Sequence, residues 1–403
     1  MEQFEAKPLE RPWVKWTAQQ IADPVGRLRF LQAVAPCAEE PKAKRRGRAM
    51  VWVGLLLLTG AGIPLSRTVV KAQGRSVAPT AVEVMAPAVV EMVAPVPQAA
   101  AGMATDPAER AEIWQVEGTT EFAIYSNGLR IENRYATGTR RRSYLSFDVA
   151  RPDDLRGEAG SVPVGIVFHT TESLQAPFEA SQNALLKRAG ESLAAYVKRR
   201  HSYNFLIDRF GRVYRVVLES DVADHAGHSV WANDERFYVN LNESFLGVSL
   251  EARTAAGGPA ETQVSPAQLR AAAMLTEMLR KRYHIPAKNC VTHAQVSVNP
   301  ANMQVGYHTD WASSFPFESV GLPDNYGAAS PALRLFGFQF DASFAHRGGA
   351  RLRESAARTE REMRERAAVE GVTLAAYRKR LQNRYWALVG IVRRGATVGS
   401  DVE

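Results

Sequence analysis

Seven consecutive apolar residues, Val162-Pro163-Val164-Gly165-Ile166-Val167-Phe168, run without a polar break into His169. A strand with one wet face would place a polar side chain at every second position, so an unbroken run belongs to a strand covered on both faces. The neighbouring segments supply the cover. Residues 181–200 follow a helical period, and 203–208 and 212–217, separated by Arg209-Phe210-Gly211, read as a hairpin. Residues 245–252 (Phe-Leu-Gly-Val-Ser-Leu-Glu-Ala) read as another strand. Ser265-Pro266-Ala267-Gln268 has the pattern of a helix start, with Ser as N-cap, Pro at the first helical position and Gln placed to close a capping box. That helix is expected to bury Ala272, Leu275 and Leu279, to stop before Pro286, and to be followed by a short strand over 290–292. Strands alternating with helices predict an α/β fold with a central mixed sheet flanked by helices.

This unit is assigned to residues 111–346, and the rest of the chain has a different composition. Between Arg48 and Arg67 lie 18 uncharged residues. As a helix they reach ~27 Å, close to the ~30 Å of a hydrocarbon core. Lys42, Lys44, Arg45, Arg46 and Arg48 precede them and would keep residues 1–48 in the cytoplasm. Residues 49–66 are therefore expected to be a single transmembrane signal anchor, with a cleaved signal peptide or a buried helix as competing readings. The expected location is the inner, cytoplasmic membrane, with the folded unit on the periplasmic or extracytoplasmic side. Residues 67–110, rich in Ala, Val and Pro, read as an extended linker. Residues 347–403 read as a charged helical tail with Glu and Arg at helical spacing, in which the stretch around Tyr385, Trp386 and Leu388 could dock on the domain.

The formal net charge of +8 hides its distribution. Residues 1–48 carry ten Lys/Arg against six Asp/Glu, and 347–403 carry thirteen against seven, which leaves the interior at −2. That balance disfavours a nucleic-acid groove, and no nucleic-acid partner is expected. The two cysteines, Cys37 and Cys290, cannot build a disulfide framework or a Cys-rich zinc site. Any metal would fall to histidine and carboxylate.

Two of the eight histidines, His169 and His293, stand directly after apolar runs. Residues at strand ends of α/β folds face the crevice where ligands bind. With Asp310 of His308-Thr309-Asp310 they make two imidazoles and a carboxylate, the ligand set of a catalytic zinc site with an open fourth position. A lone histidine at a strand end is more often structural.

In order along the chain, IVFHTT, SYNFLIDRFGRVYRVV, DHAGHS, SFLGVSLEA and CVTHAQVSVNP leading to HTD resemble the zinc-dependent N-acetylmuramoyl-L-alanine amidases of the type-2 amidase and peptidoglycan-recognition family. The resemblance spans roughly residues 160–315. It implies a central mixed sheet, a groove for the glycan-peptide strand of peptidoglycan, and Zn2+ held by His169, His293 and Asp310. Tyr203 matches the tyrosine of the family's Gly-Tyr-His-Phe motif, whose phenol serves the metal-bound water or the developing oxyanion. His308 stands where the family often has Lys, and His225 matches the His of Trp-His-Ala-Gly, with Asp224 in place of Trp. Where one branch has a catalytic Glu, this chain has Ser249, and Glu251 two residues on is the candidate to replace it or to hydrogen-bond a ligating imidazole and hold it in place. The implied catalytic residues are thus Tyr203, His308 and Glu251, and the implied substrate contacts Thr170, Asn204 and His225. The implied activity is hydrolysis of the amide between N-acetylmuramic acid and L-alanine. The alternatives are a peptidoglycan-binding recognition module without catalysis, or a wall-to-membrane tether, with the membrane reached through one N-terminal helix.

Overall fold

The apolar run folds as a strand, Gly165–Thr170, in which every residue is buried. Pairing begins at Gly165, two residues after Pro163, which has no N–H to give a ladder. The structure is a computed structural model and describes residues 112–173, 175–254 and 264–398, with side chains to 392 in the last helix.

Among the described residues twelve strands form two larger sheets, and Val298–Asn299 and Gln304–Val305 pair as a third, two-stranded one. The twelve are β1 (Gln115–Gly118), β2 (Phe122–Tyr125), β3 (Arg130–Glu132), β4 (Tyr144–Asp148), β5 (Glu158–Gly160) and β6 (Gly165–Thr170), followed by β7 (Phe205–Ile207), β8 (Val213–Arg215), β9 (Val230–Ala232), β10 (Arg236–Val239), β11 (Phe245–Leu250) and β12 (Cys290–Thr292). The main sheet has the order β1-β2-β3-β8-β7-β11-β6-β12, and β5-β4-β10-β9 form a second, antiparallel sheet. In the main sheet β11 and β12 flank β6 in parallel, β7 continues parallel to β11, and β7–β8 is the expected antiparallel hairpin. Gly211 turns that hairpin at φ +76°, and a Cβ there would stand 2.5 Å from the Ala267 carbonyl oxygen, so only glycine fits.

Two helices cover opposite faces of the sheet. Helix α1 (Asn183–Arg200) packs Ala194 and Val197 on Leu206 and Tyr214. Helix α2 (Pro266–Tyr283) buries Ala272, Leu275 and Leu279 in the cluster that holds Phe205 and Ile207. The alternation of Leu206 against Phe205 and Ile207 is the period of two that sends successive strand residues to opposite faces. The Ser265–Gln268 capping box forms on both sides, and the chain leaves α2 through His284 in the left-handed region before Pro286.

The segment after residue 347 forms two long helices, α3 (Gly349–Val369) and α4 (Leu374–Val398). Leu352, Ala356 and Met363 of α3 and Tyr377, Leu381, Tyr385 and Leu388 of α4 are buried in the same core as the sheet. Some of the charges read from the sequence are drawn inward, with Arg378 paired to Glu360 at 2.7 Å and Arg384 donating to the Leu335 carbonyl, while Trp386 stays half exposed.

One part of the expected fold is corrected. Among the described residues no helix is long and apolar enough to cross a membrane. Helix α3 has the length, but charged residues recur along it on every turn, which hydrocarbon does not accept. The segment assigned to the transmembrane helix, 49–66, and the linker, 67–110, lie outside the described residues.

Candidate metal centre

Strand register brings the first two histidines together. Thr292 of β12 lies opposite Phe168 of β6, so the residues that follow them, His293 and His169, stand side by side at the carboxyl ends of parallel strands. Their rings are 4.5 Å apart. His293 opens a one-turn helix, His293–Val296, held by a capping box between Thr292 and Gln295.

Asp310 arrives from a loop. Its Oδ2 lies 3.1 Å from His169 Nδ1 and its Oδ1 2.8 Å from His293 Nδ1. One ligand atom from each of the three residues falls within 4.8 Å of the others. The next residue, Trp311, is fully buried with φ +68°, and its N–H donates to Thr254 Oγ1 at 2.9 Å.

The electrostatics suit a cation. Burial, and then the neighbouring His293, push the His169 imidazole down to about 4. Burial alone would raise the Asp310 carboxyl, but His293 and His169 outweigh it and hold the group well below the usual carboxylate range. A neutral imidazole and an ionised carboxylate are the forms that ligate metal. These residues therefore fit a divalent ion of the zinc type, as three of the four ligands such an ion usually takes.

The other expected residues divide. The Tyr203 ring lies 5.1 Å from that of His169, and burial, aided by the charge of Asp310, raises its phenol above the ordinary tyrosine range. His308 stacks on His293 at 4.9 Å, and desolvation and His293 lower its pKa. Thr170 is buried, and its hydroxyl contacts Glu172 Oε1 at 2.5 Å and Thr254 Oγ1 at 3.2 Å.

Three of the expected residues have other partners. His225 is buried, with Nδ1 3.1 Å from His169 Nε2 and Nε2 3.2 Å from the Phe245 carbonyl, so both of its ring nitrogens meet protein groups. Asn204 is fully buried, accepts from Arg142 and Gly247 N–H, and donates to the carbonyls of Val217 and Leu218. Its polar atoms are committed inside the fold. Glu251 lies against the β7–β8 turn, where its Oε2 accepts the Arg209 N–H at 3.2 Å, and burial raises its carboxyl to about 7.

Thr254 and Glu172 escaped the sequence reading. Glu172, at φ +50°, accepts from both the Thr170 hydroxyl and the Thr254 N–H, and the two residues join the loops after β6 and β11. They lie in loops without periodicity, so no local signal marks them.

Taken together, fold and site define an α/β protein with a buried His-His-Asp metal-type centre at the carboxyl ends of its parallel strands. Residues 159–310 match the family described as N-acetylmuramoyl-L-alanine amidase. The chain is 35% identical over 89 residues to the N-acetylmuramoyl-L-alanine amidase AmiD of Escherichia coli (strain K12), a match spanning 21% of this chain and 31% of that relative. The structure of E. coli AmiD in complex with anhydro-N-acetylmuramic acid-L-Ala-D-gamma-Glu-L-Lys is 20% identical, covering 50% of this chain and 65% of its own, with a TM-score of 0.30. AmpDh3 from Pseudomonas aeruginosa in complex with anhydromuramic pentapeptide is 23% identical, covering 40% and 58%, with a TM-score of 0.27.

Proposed function

We propose that this protein hydrolyses the amide bond between N-acetylmuramic acid and the L-alanine of a peptidoglycan stem peptide. The observation that carries the reading is the convergence of His169, His293 and Asp310, whose ligand atoms lie within 4.8 Å of one another inside the segment matching the amidase family. These three would hold Zn2+. When bound, zinc supplies Lewis acidity, polarising a carbonyl and lowering the pKa of a water to about 7.

The remaining work falls to the chain's own side chains. Tyr203, kept protonated by burial and with its ring 5.1 Å from that of His169, would donate a hydrogen bond to the developing oxyanion. His308, held neutral near pH 7, can take up a proton and pass it to the leaving amine. Glu251 is the weaker candidate for a general base, because its carboxylate is engaged by the Arg209 N–H.

The rival reading, a module that binds peptidoglycan without cleaving it, fits a chain that has lost a ligand. Here all three donors are chemically competent. A tether through a free tail is disfavoured by the burial of α3 and α4 in the core.

The test is to incubate isolated sacculi and soluble muropeptides with the full chain and read the products by mass spectrometry. Free stem peptides beginning with L-alanine are expected, lost on chelation and restored by zinc. Release at the wild-type rate by His169→Ala protein would falsify the metal reading.

A further inference from the structure

A ligand histidine has two ring nitrogens, and the one facing the metal must carry a lone pair, so the other must carry the proton and needs an acceptor. In this protein one loop meets that need for both histidines. The Phe245 carbonyl can only accept, so the ring nitrogen 3.2 Å from it, His225 Nε2, is a donor. In a neutral His225 that leaves Nδ1 as an acceptor. Nδ1 lies 3.1 Å from His169 Nε2, which must then carry the His169 proton. The lone pair of His169 falls on Nδ1, the atom directed at Asp310. By the same logic the carbonyl of the next residue, Ala226, lies 3.4 Å from His293 Nε2 and leaves His293 Nδ1 facing Asp310.

We propose that His225 is a positioning residue that holds His169 in its metal-binding tautomer, and that the Ala226 carbonyl does the same for His293. The inference rests on reading His169, His293 and Asp310 as metal ligands.

The surroundings are built to keep this loop still. Asn242 Oδ1 accepts the backbone N–H groups of both His225 and Ala226, at 3.0 and 2.6 Å. Buried Arg142 donates through Nη1 to the same Phe245 carbonyl at 2.8 Å, which fixes the acceptor that orients His225. On the far side of the ring lies Gly247, where a Cβ would stand 2.6 Å from His225 Cγ. The glycine of β11 therefore keeps the space the imidazole occupies.

The test uses the full chain. Zinc affinity is measured by chelator competition for wild type, His225→Leu and His225→Asn, and the zinc-loaded proteins are studied by NMR for protons on the ring nitrogens of His169 and His293. Leucine removes the acceptor, and a fall in zinc affinity of about 10- to 100-fold is expected. Asparagine places an oxygen near the former Nδ1, and should bring affinity back to within about 3-fold of wild type by restoring that acceptor. The Nε2 proton of His169 should be protected in wild type and His225→Asn and exchange quickly in His225→Leu, while that of His293, held by a main-chain carbonyl, persists in all three. Wild-type zinc affinity in His225→Leu, or a wild-type His169 bound through Nε2, overturns the proposal. If His225→Leu does not fold, the wild-type NMR result still decides. A wild-type chain that binds no zinc defeats the metal reading itself, a distinct outcome.

Discussion

The Thr254 hydroxyl accepts the backbone N–H of Trp311 at 2.9 Å, and so ties the loop after β11 to the residue that follows Asp310. Trp311 adopts φ +68° and its neighbour Ala312 φ +43°, a conformation that L residues other than glycine hold only when the surroundings over-determine it. The hydroxyl of Thr254 is one of those determinants. It also meets the Thr170 hydroxyl, adjacent to His169, so a single side chain links the end of β6, which carries His169, to the loop that carries Asp310.

Replacing Thr254 with Val should leave the buried Trp311 N–H without a partner and cost about 1–3 kcal/mol of stability. Thr254→Ser, which keeps the hydroxyl, should stay close to wild type. Denaturant unfolding of both variants checks this, and equal stabilities would show that the bond has no part in holding the loop.

Tyr203→Phe removes a donor without changing shape. Turnover is expected to fall by about 10² to 10³, with zinc content and KM little altered. Muropeptide kinetics together with metal analysis would expose a structural role, in which zinc content or melting temperature falls as well.

Glu251 makes stability depend on pH. Its carboxyl is raised from 4.5 to about 7 by burial, so between those values the folded form keeps a proton that the unfolded form has lost. Stability therefore falls as pH rises through that window, and the penalty is complete above it. Glu251→Gln should gain about 1–3 kcal/mol at pH 8 and almost nothing at pH 4.5. Melting curves at the two pH values test the sign, and a gain of the same size at both would discard the assignment. The same variant should retain most turnover, whereas a hundredfold loss would identify Glu251 as the base.

Leu388 of α4 is fully buried in the main cluster. Leu388→Ala is expected to cost about 2–5 kcal/mol, and ending the chain at Arg347 should leave a domain that no longer unfolds in one cooperative transition. An intact, sharp transition in the shortened protein would mean that the last two helices are an independent appendage.

Much of the fold was legible in contiguous residues. The apolar run before His169, the Ser265–Gln268 cap and the Arg209-Phe210-Gly211 turn each carry their conformation in neighbouring side chains, because strand burial, capping and turn geometry are short-range matters. The ends of two such strands also marked His169 and His293. What those histidines meet was a different question. Asp310 lies 141 residues from His169 and His225 lies 56 away, and no local pattern encodes which way a loop histidine turns. Only the tertiary structure turned His225 inward onto His169, committed Asn204 to the core, set Glu251 beside Arg209, and folded the charged helices after residue 347 onto the sheet. Those outcomes depend on long-range packing, where the burial of one face of α4 outweighs the solubility of the other.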